Sequence, residues 1–224
     1  MTRVLVLAAI DLEVRTLARH LGLARVADRA WPHFRGGALE IVGVGLRGTL
    51  IDQRVARPAP SALVVSAGAC GALAPALTAG ALIVPDTVLG ADGGQYPTDQ
   101  VPTLLRAGTL LTVAEVVATP AAKARLWMET GALAVDMESA MIVAWARARG
   151  LAAAVVRGVS DTAAEALPPD LAAVVGPGGR VRAGQALRAA LARPRAIADA
   201  VTLKRGTDAA LRSVASALAT LVRS

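Results

Sequence analysis

Seven near-continuous apolar runs of strand length constrain this chain's fold more than any other feature. They are RVLVLAAI (3–10), ALEIVGVG (38–45), SALVVSAG (61–68), GALIVPDTVLG (80–90), TLLTVAEVV (109–117), ALAVDM (132–137) and LAAAVVRGVS (151–160). A strand that is apolar at successive positions, not alternate ones, must be covered on both faces. Helical patterns stand between the runs at 12–22, 119–131 and 138–150, the last two ending at Gly131 and Gly150. Glycine at the end of an apolar periodic segment is a helix stop signal. Strand and helix in alternation predict an α/β protein whose sheet is sandwiched between helices. GADGGQYPTDQVP (90–102) reads as a loop, dense in Gly, Pro and Asp.

Charge divides the chain in two. Residues 1–179 carry fifteen Lys/Arg and fifteen Asp/Glu, whereas 180–224 carry nine and two, so the whole net charge of +7 sits in the tail. The expected organisation is an α/β domain over 1–179 followed by a basic helical extension over 180–224. Two helices are expected there, at 183–192 and 207–222, parted by Pro194 and Gly206. Leu211, Val214, Leu218 and Leu221 form one apolar stripe on the second. The tail has no aromatic residue to stack on bases, so nucleic acid is not an expected partner. Contact with anionic lipid headgroups and a plain solvated or docked face both fit it.

One cysteine, Cys70, excludes an internal disulfide framework and fits a reducing compartment. No spanning helix is expected, and MTRVLVLAAI is followed by an acidic strand-to-helix pattern instead of a cleavage site. The expected location is therefore cytoplasmic. His20 and His33 with Cys70 offer no zinc constellation, and no metal is expected.

Ligands of open α/β sheets collect at the carboxyl ends of strands. Four polar features fall at such ends: Glu13 after the first run, SAGACGAL (66–73) read as a loop after the third, Asp136 with Glu138, and RGVSD (157–161). Asp136 and Glu138 lie two apart on an extended strand end and so point to opposite sides. Glu138 is expected to face the site and Asp136 to serve structure. GVGLRG (43–48) sets Arg47 just past a glycine turn, where backbone amides can bind an anion. It is also a G-x-G-x-x-G match, but no acidic residue about twenty positions on ends a following strand, which argues against a nicotinamide site. Cys70 has no histidine in a recognisable pattern nearby and reads as a small buried side chain.

AAIDLEV, SAGACGALAPALTAGALIVPD, AVDMESA and VVRGVSD, in this order and spacing over 3–165, resemble the nucleoside phosphorylase/nucleosidase superfamily on its methylthioadenosine/S-adenosylhomocysteine nucleosidase-like branch. The resemblance implies a phosphorylase/hydrolase-like, three-layer α/β/α sandwich with a central twisted mixed sheet. It implies a purine nucleosidase that cleaves the N-glycosidic bond of a 5′-substituted adenosine and releases adenine, with no cofactor. Such cleavage needs a proton on the leaving base and a water on the opposite face of the sugar. By the family pattern Asp161 gives the proton at purine N7 beside Ser160, and Glu13 activates the water. Glu138 grips the ribose hydroxyls and Met137 packs on the sugar. Val116 and Val117 line the base, although a plain core strand fits them equally, and the aromatic usual near the base is missing. Arg157 is either a structural ion-pair partner or a ligand contact. Gly68, Ala69 and Arg47 form the anion or water loop.

Phosphorylases of the superfamily carry an arginine for phosphate after the first strand, where this chain has Glu13, which suits water. Phosphorolysis, with phosphate as cosubstrate, is the alternative. So are methylthioadenosine/S-adenosylhomocysteine or futalosine hydrolysis, and, in another class, a membrane-surface module acting through the tail. LPPDLAAVVGPGGRVRAGQALRAALARPRAIADAV (167–201) is similar to the hopanoid-biosynthesis-associated group of the superfamily, which implies adenosylhopane as substrate. A homodimer is what the resemblance implies for assembly.

Overall fold

The first strand, β1 (Val4–Ala8), shows how the apolar runs are used. Val4, Val6 and Ala8 enter one apolar cluster while Leu5 and Leu7 enter another on the opposite face of the sheet. The same split recurs in β5 (Leu63–Ala72) and β11 (Ala153–Asp161), because successive side chains of a strand point to opposite faces. The computed structural model describes residues 3–55, 58–59, 62–101, 103–167 and 196–222.

Between β1 and β5 lie α1 (Asp11–His20), the hairpin β2 (Ala24–Arg25) and β3 (His33–Gly36), β4 (Leu39–Gly43), a 3-10 turn (Leu46–Gly48) and α2 (Ile51–Arg54). After β5 come β6 (Leu82–Ile83), β7 (Thr87–Leu89), β8 (Gln95–Pro97), β9 (Thr109–Thr112), α3 (Pro120–Thr130), β10 (Ala134–Asp136) and α4 (Ser139–Arg147). β11 and α5 (Ala196–Leu221) complete the described chain. The strands form one mixed sheet in the order β2-β3-β4-β1-β5-β10-β9-β7-β8, with β11 between β5 and β6. Helix α4 covers one face through Ile142, Val143 and Trp145; α1 and α5 cover the other through Val14, Leu17, Leu211, Val214 and Leu218. The result is the expected α/β/α sandwich.

Several boundaries differ from the sequence reading. SAGACGAL is not a loop: β5 runs unbroken to Ala72, because β11 pairs with it in parallel from Val64 as far as Gly71. The run 109–117 is strand only to Thr112, where both neighbours end, β7 at Leu89 and β10 at Asp136. Pro85, with no N–H to give, lies between β6 and β7, which divide the run at 80–90. The expected loop at 90–102 contains β8, paired with β7 as a hairpin.

The stripe of Leu211, Val214, Leu218 and Leu221 is buried, but its helix begins at Ala196 and passes straight through Gly206. Gly206 is there for contact, not as a break. A Cβ at Gly206 would collide with the Ser160 carbonyl, and one at Gly158 with the Ala210 carbonyl. The two glycines bring α5 and β11 together backbone to backbone. The helix expected at 183–192 lies outside the described residues. Among the described residues, no helix is long and apolar enough to cross a membrane.

Candidate active site

The site opens where β5 changes partners. Along one edge β1 pairs with β5 up to Ser66, and β10 joins the same edge, antiparallel, at Gly71. β11 holds the opposite edge throughout. In the gap lie Gly68 and Ala69, and the carboxylates gather around it. A break in strand pairing of this kind is where α/β sheets leave room for a ligand. The rim expected from strand ends is therefore partly different: β10 runs antiparallel to β5, so it starts at the β5 terminus, Ala134 opposite Ala72, and its end points back along β5 toward the gap.

Glu13, in the first turn of α1, turns back so that Oε2 accepts the Ile10 N–H at 3.3 Å and Oε1 accepts the Ala69 N–H at 2.8 Å. This close approach requires glycine at 68, since a Cβ there would stand 2.5 Å from Glu13 Oε1 and 2.8 Å from Arg157 Nη1. Burial raises the Glu13 pKa, against the nearby Arg157 charge and the amides that favour the anion.

Arg157, 1% exposed, is the counter-charge at the centre. Its Nη2 lies 2.8 Å from Asp136 Oδ2 and donates to Ser66 Oγ at 2.9 Å, while Glu138 Oε2 is 3.8 Å away. Burial works against its charge, but the carboxylates of Asp136, Glu138 and Glu13 hold its pKa above the ordinary value. Asp136 is used up in structure. It accepts the Thr112 hydroxyl at 2.7 Å and both the N–H and hydroxyl of Ser139.

Glu138 sits just before α4, and its Oε1 accepts the Arg47 N–H at 3.1 Å. Burial pushes its pKa up to about 7, helped by Asp136 and Glu13 and opposed by Arg157. Asp161, at the end of β11, accepts the Ser160 hydroxyl on Oδ1 at 2.6 Å and the Lys123 ammonium on Oδ2 at 2.6 Å. Burial pushes the Cys70 thiol up, so it stays protonated and unreactive.

A cavity of about 520 Å³ unites these groups. Its walls include Glu13, Arg47, Ala69, Val116, Val117, Met137, Glu138, Ser160 and Asp161, so most of the residues read from the sequence meet in one place. Gly68 lies beneath Glu13 and is not part of the lining. The anion-loop expectation changes with this geometry. The Ala69 N–H is occupied by Glu13, and Arg47 contributes its backbone N–H to Glu138. Val116 and Val117 stand in the segment after β9, and Val117 also packs against the core beside Trp127. No aromatic side chain lines the cavity among the described residues.

A second cavity, of about 530 Å³, lies at the amino ends of β1 and β4, among Arg3, Arg29, Arg35 and Trp31. Its one carboxylate, Glu40, is bound by His33 and Arg35, so it lacks a pair of groups for acid and base work. Among the described residues no cluster of His, Cys, Asp and Glu could hold a metal ion.

Residues 99–202 match the family model described as Phosphorylase superfamily. The fold agrees over 99% of this chain and 96% of S-adenosylhomocysteine nucleosidase from Streptococcus pyogenes in complex with 5-methylthiotubericidin, at 21% identity and TM-score 0.68. The likeness to the phosphorylase superfamily thus covers 104 of the 224 residues. Two further structures share its fold. 5′-Methylthioadenosine/S-adenosylhomocysteine nucleosidase from Neisseria meningitidis in complex with methylthio-immucillin-A is 14% identical, with TM-score 0.72 and coverage of 100% and 99%. Futalosine hydrolase of Helicobacter pylori is 15% identical, with TM-score 0.70 and coverage of 99% and 97%. No curated protein matches the chain.

The structure adds groups that the sequence did not reveal. Leu12, Leu46, Leu167 and Leu203 form an apolar wall, and α5 lends Lys204, Thr207 and Asp208 to the rim. Ser66, Thr112 and Ser139 hold the Asp136–Arg157 pair. Lys123 is wholly buried behind Asp161. One signal could have found it: Lys123 shares a helical face with Leu126 and Trp127, where a lysine needs a buried partner.

The raised Glu138 pKa predicts a pH dependence of stability. A carboxyl whose folded-state pKa stands above the ordinary 4.5 favours folding when neutral. That contribution is complete below about 4.5 and is lost as pH rises through about 7. Glu138→Gln removes the loss, so the variant should gain on the wild type above neutrality, by at most about 3 kcal/mol. Below the ordinary carboxyl range the two should converge. Urea denaturation across this range checks the sign.

Proposed function

We propose that the protein is a purine nucleosidase that hydrolyses the N-glycosidic bond of a 5′-substituted adenosine and releases adenine. The observation that carries the reading is that Glu13, Glu138 and Asp161 line one cavity. Glu13 in this reading takes a proton from water. Burial raises its pKa, which makes the carboxylate a stronger base. Glu138, ionised, accepts the ribose hydroxyls and offsets positive charge developing on the sugar. Asp161 protonates the base as the bond breaks, beside Ser160, while Met137 packs on the sugar and Val116 and Val117 on the base. No cofactor enters this chemistry.

Hydrolysis is favoured over phosphorolysis because the groups an anion would need are already engaged: the Ala69 amide by Glu13 and Arg157 by Asp136. The nucleosidases and the futalosine hydrolase that share the fold support the same reaction class. For the 5′ substituent we favour a large apolar group, adenosylhopane in the finer reading. Its supports are the wall of Leu12, Leu46, Leu167 and Leu203 and the family likeness of 167–201. A homodimer and contact of the basic tail with anionic lipid belong to the same reading.

The test is adenine release from 5′-substituted adenosines with and without phosphate. Release should be the same in both, and faster for apolar 5′ groups than for adenosine itself. Strict dependence on phosphate would reverse the reading to phosphorolysis.

A further inference from the structure

Lys123 stands outside every role assigned above. It lies on α3, is 0% exposed, and does not line the cavity. A buried ammonium is costly unless its charge is paired and its three donors are satisfied. Here they are: Asp161 Oδ2 accepts at 2.6 Å, the Thr162 carbonyl at 2.7 Å and the Glu165 carbonyl at 2.9 Å. The ammonium thus ties the turn after β11 and the Asp161 carboxyl into one unit. Ser160 holds the other carboxyl oxygen at 2.6 Å, and Gly71 packs so closely that a Cβ there would be 3.0 Å from Asp161 Oδ2. Held on three sides, the carboxyl group keeps one orientation.

Building on the nucleosidase reading, we propose that Lys123 is a positioning residue for protonation of the leaving base: it aims Asp161 and stabilises the carboxylate that proton donation creates. In the step, the Asp161 proton passes to the base N7. The C1′–N9 bond breaks with its electron pair entering the base, the water oxygen bonds to C1′ as its proton passes to Glu13, and adenine leaves neutral. Asp161 remains as an anion against the Lys123 ammonium. The proton that Glu13 takes from water returns to Asp161 through solvent, which closes the balance. Because negative charge appears on Asp161 during the reaction, a fixed cation beside it stabilises the later state more than the earlier one.

The experiment compares two substrates of one 5′-substituted ribose, carrying at C1′ either adenine or 4-nitrophenolate, which leaves without a proton. Adenine release by the wild type tests the nucleosidase reading itself; the ratio of the two substrates in the variants tests Lys123. In Lys123→Met, kcat for adenine release should fall about 100-fold, the scale of general acid catalysis, with KM nearly unchanged. Release of 4-nitrophenolate should stay within a few-fold, which also reports that the variant is folded. In Lys123→Ala, added ethylamine should restore part of the adenine release and leave 4-nitrophenolate release unaltered. Equal losses on both substrates in both variants, through misfolding or otherwise, or no loss on either, would overturn the proposal.

Discussion

Asp161→Asn is expected to lower kcat for adenine release by about 10³-fold, within the range by which a general acid accelerates such a step. Asparagine keeps the shape and, with its one oxygen toward Lys123, can still accept from that ammonium, while its amide N–H would turn to the Ser160 hydroxyl; these two partners hold the native side chain at 2.6 Å each. What it lacks is a proton to give to the base. The same exchange leaves the buried Lys123 ammonium facing a neutral amide, so stability should also fall, by a few kcal/mol. The two effects separate in one assay series well below the melting temperature. If kcat falls while the affinity for a non-hydrolysable adenosine analogue holds, the loss belongs to the proton transfer. Full activity in Asp161→Asn would remove the acid role and move the search to another donor in the cavity. Glu13→Gln should cost a similar factor by the other route, since its amide cannot take a proton from water, and it leaves no carboxylate for burial to penalise.

The fold was legible where the information is local. Val4 to Ala8 are apolar at every position, and each position faces one of two cores. That Glu13, Glu138 and Asp161 share one cavity was legible because each closes or follows a strand end within a recognisable motif. What stayed hidden depends on distant partners. SAGACGAL has the composition of a turn, yet pairing with β11 draws it out as strand and leaves its partner switch as the candidate site. No local pattern fixes β10 antiparallel to β5. Gly206 reads as a helix break until the helix is seen resting on the Ser160 carbonyl. Lys123 shows in the sequence as a lysine on the face of Leu126 and Trp127, but only the fold reveals Asp161 as its partner.

Arg157→Met should destabilise the protein by about 3–5 kcal/mol at neutral pH, the usual cost of removing one partner from a buried ion pair. That is a large share of the roughly 5–15 kcal/mol by which domains are stable. The Asp136 carboxylate, 2.8 Å from the guanidinium and 1% exposed, would lose its counter-charge. Glu13 and Glu138, whose pKa values burial already raises, would lose the charge that opposes the rise. All three carboxyls could then be accommodated only by taking up protons. For Glu13 and Glu138, whose folded-state pKa values are already raised, the rise grows, so stability is lost as pH rises and regained as it falls. Urea midpoints at about pH 5 and about pH 8 should show the deficit of Arg157→Met shrinking at the lower value. Asp136→Asn introduced into Arg157→Met should recover part of the loss, because the deepest unpaired charge is gone. In an otherwise wild-type chain Asp136→Asn should cost less than Arg157→Met, since Arg157 keeps Glu138 at 3.8 Å. A deficit in Arg157→Met that ignores pH and ignores Asp136→Asn would mean that the arginine acts through packing. Burial would then act on the Glu13 and Glu138 carboxyls with no opposing charge from the arginine.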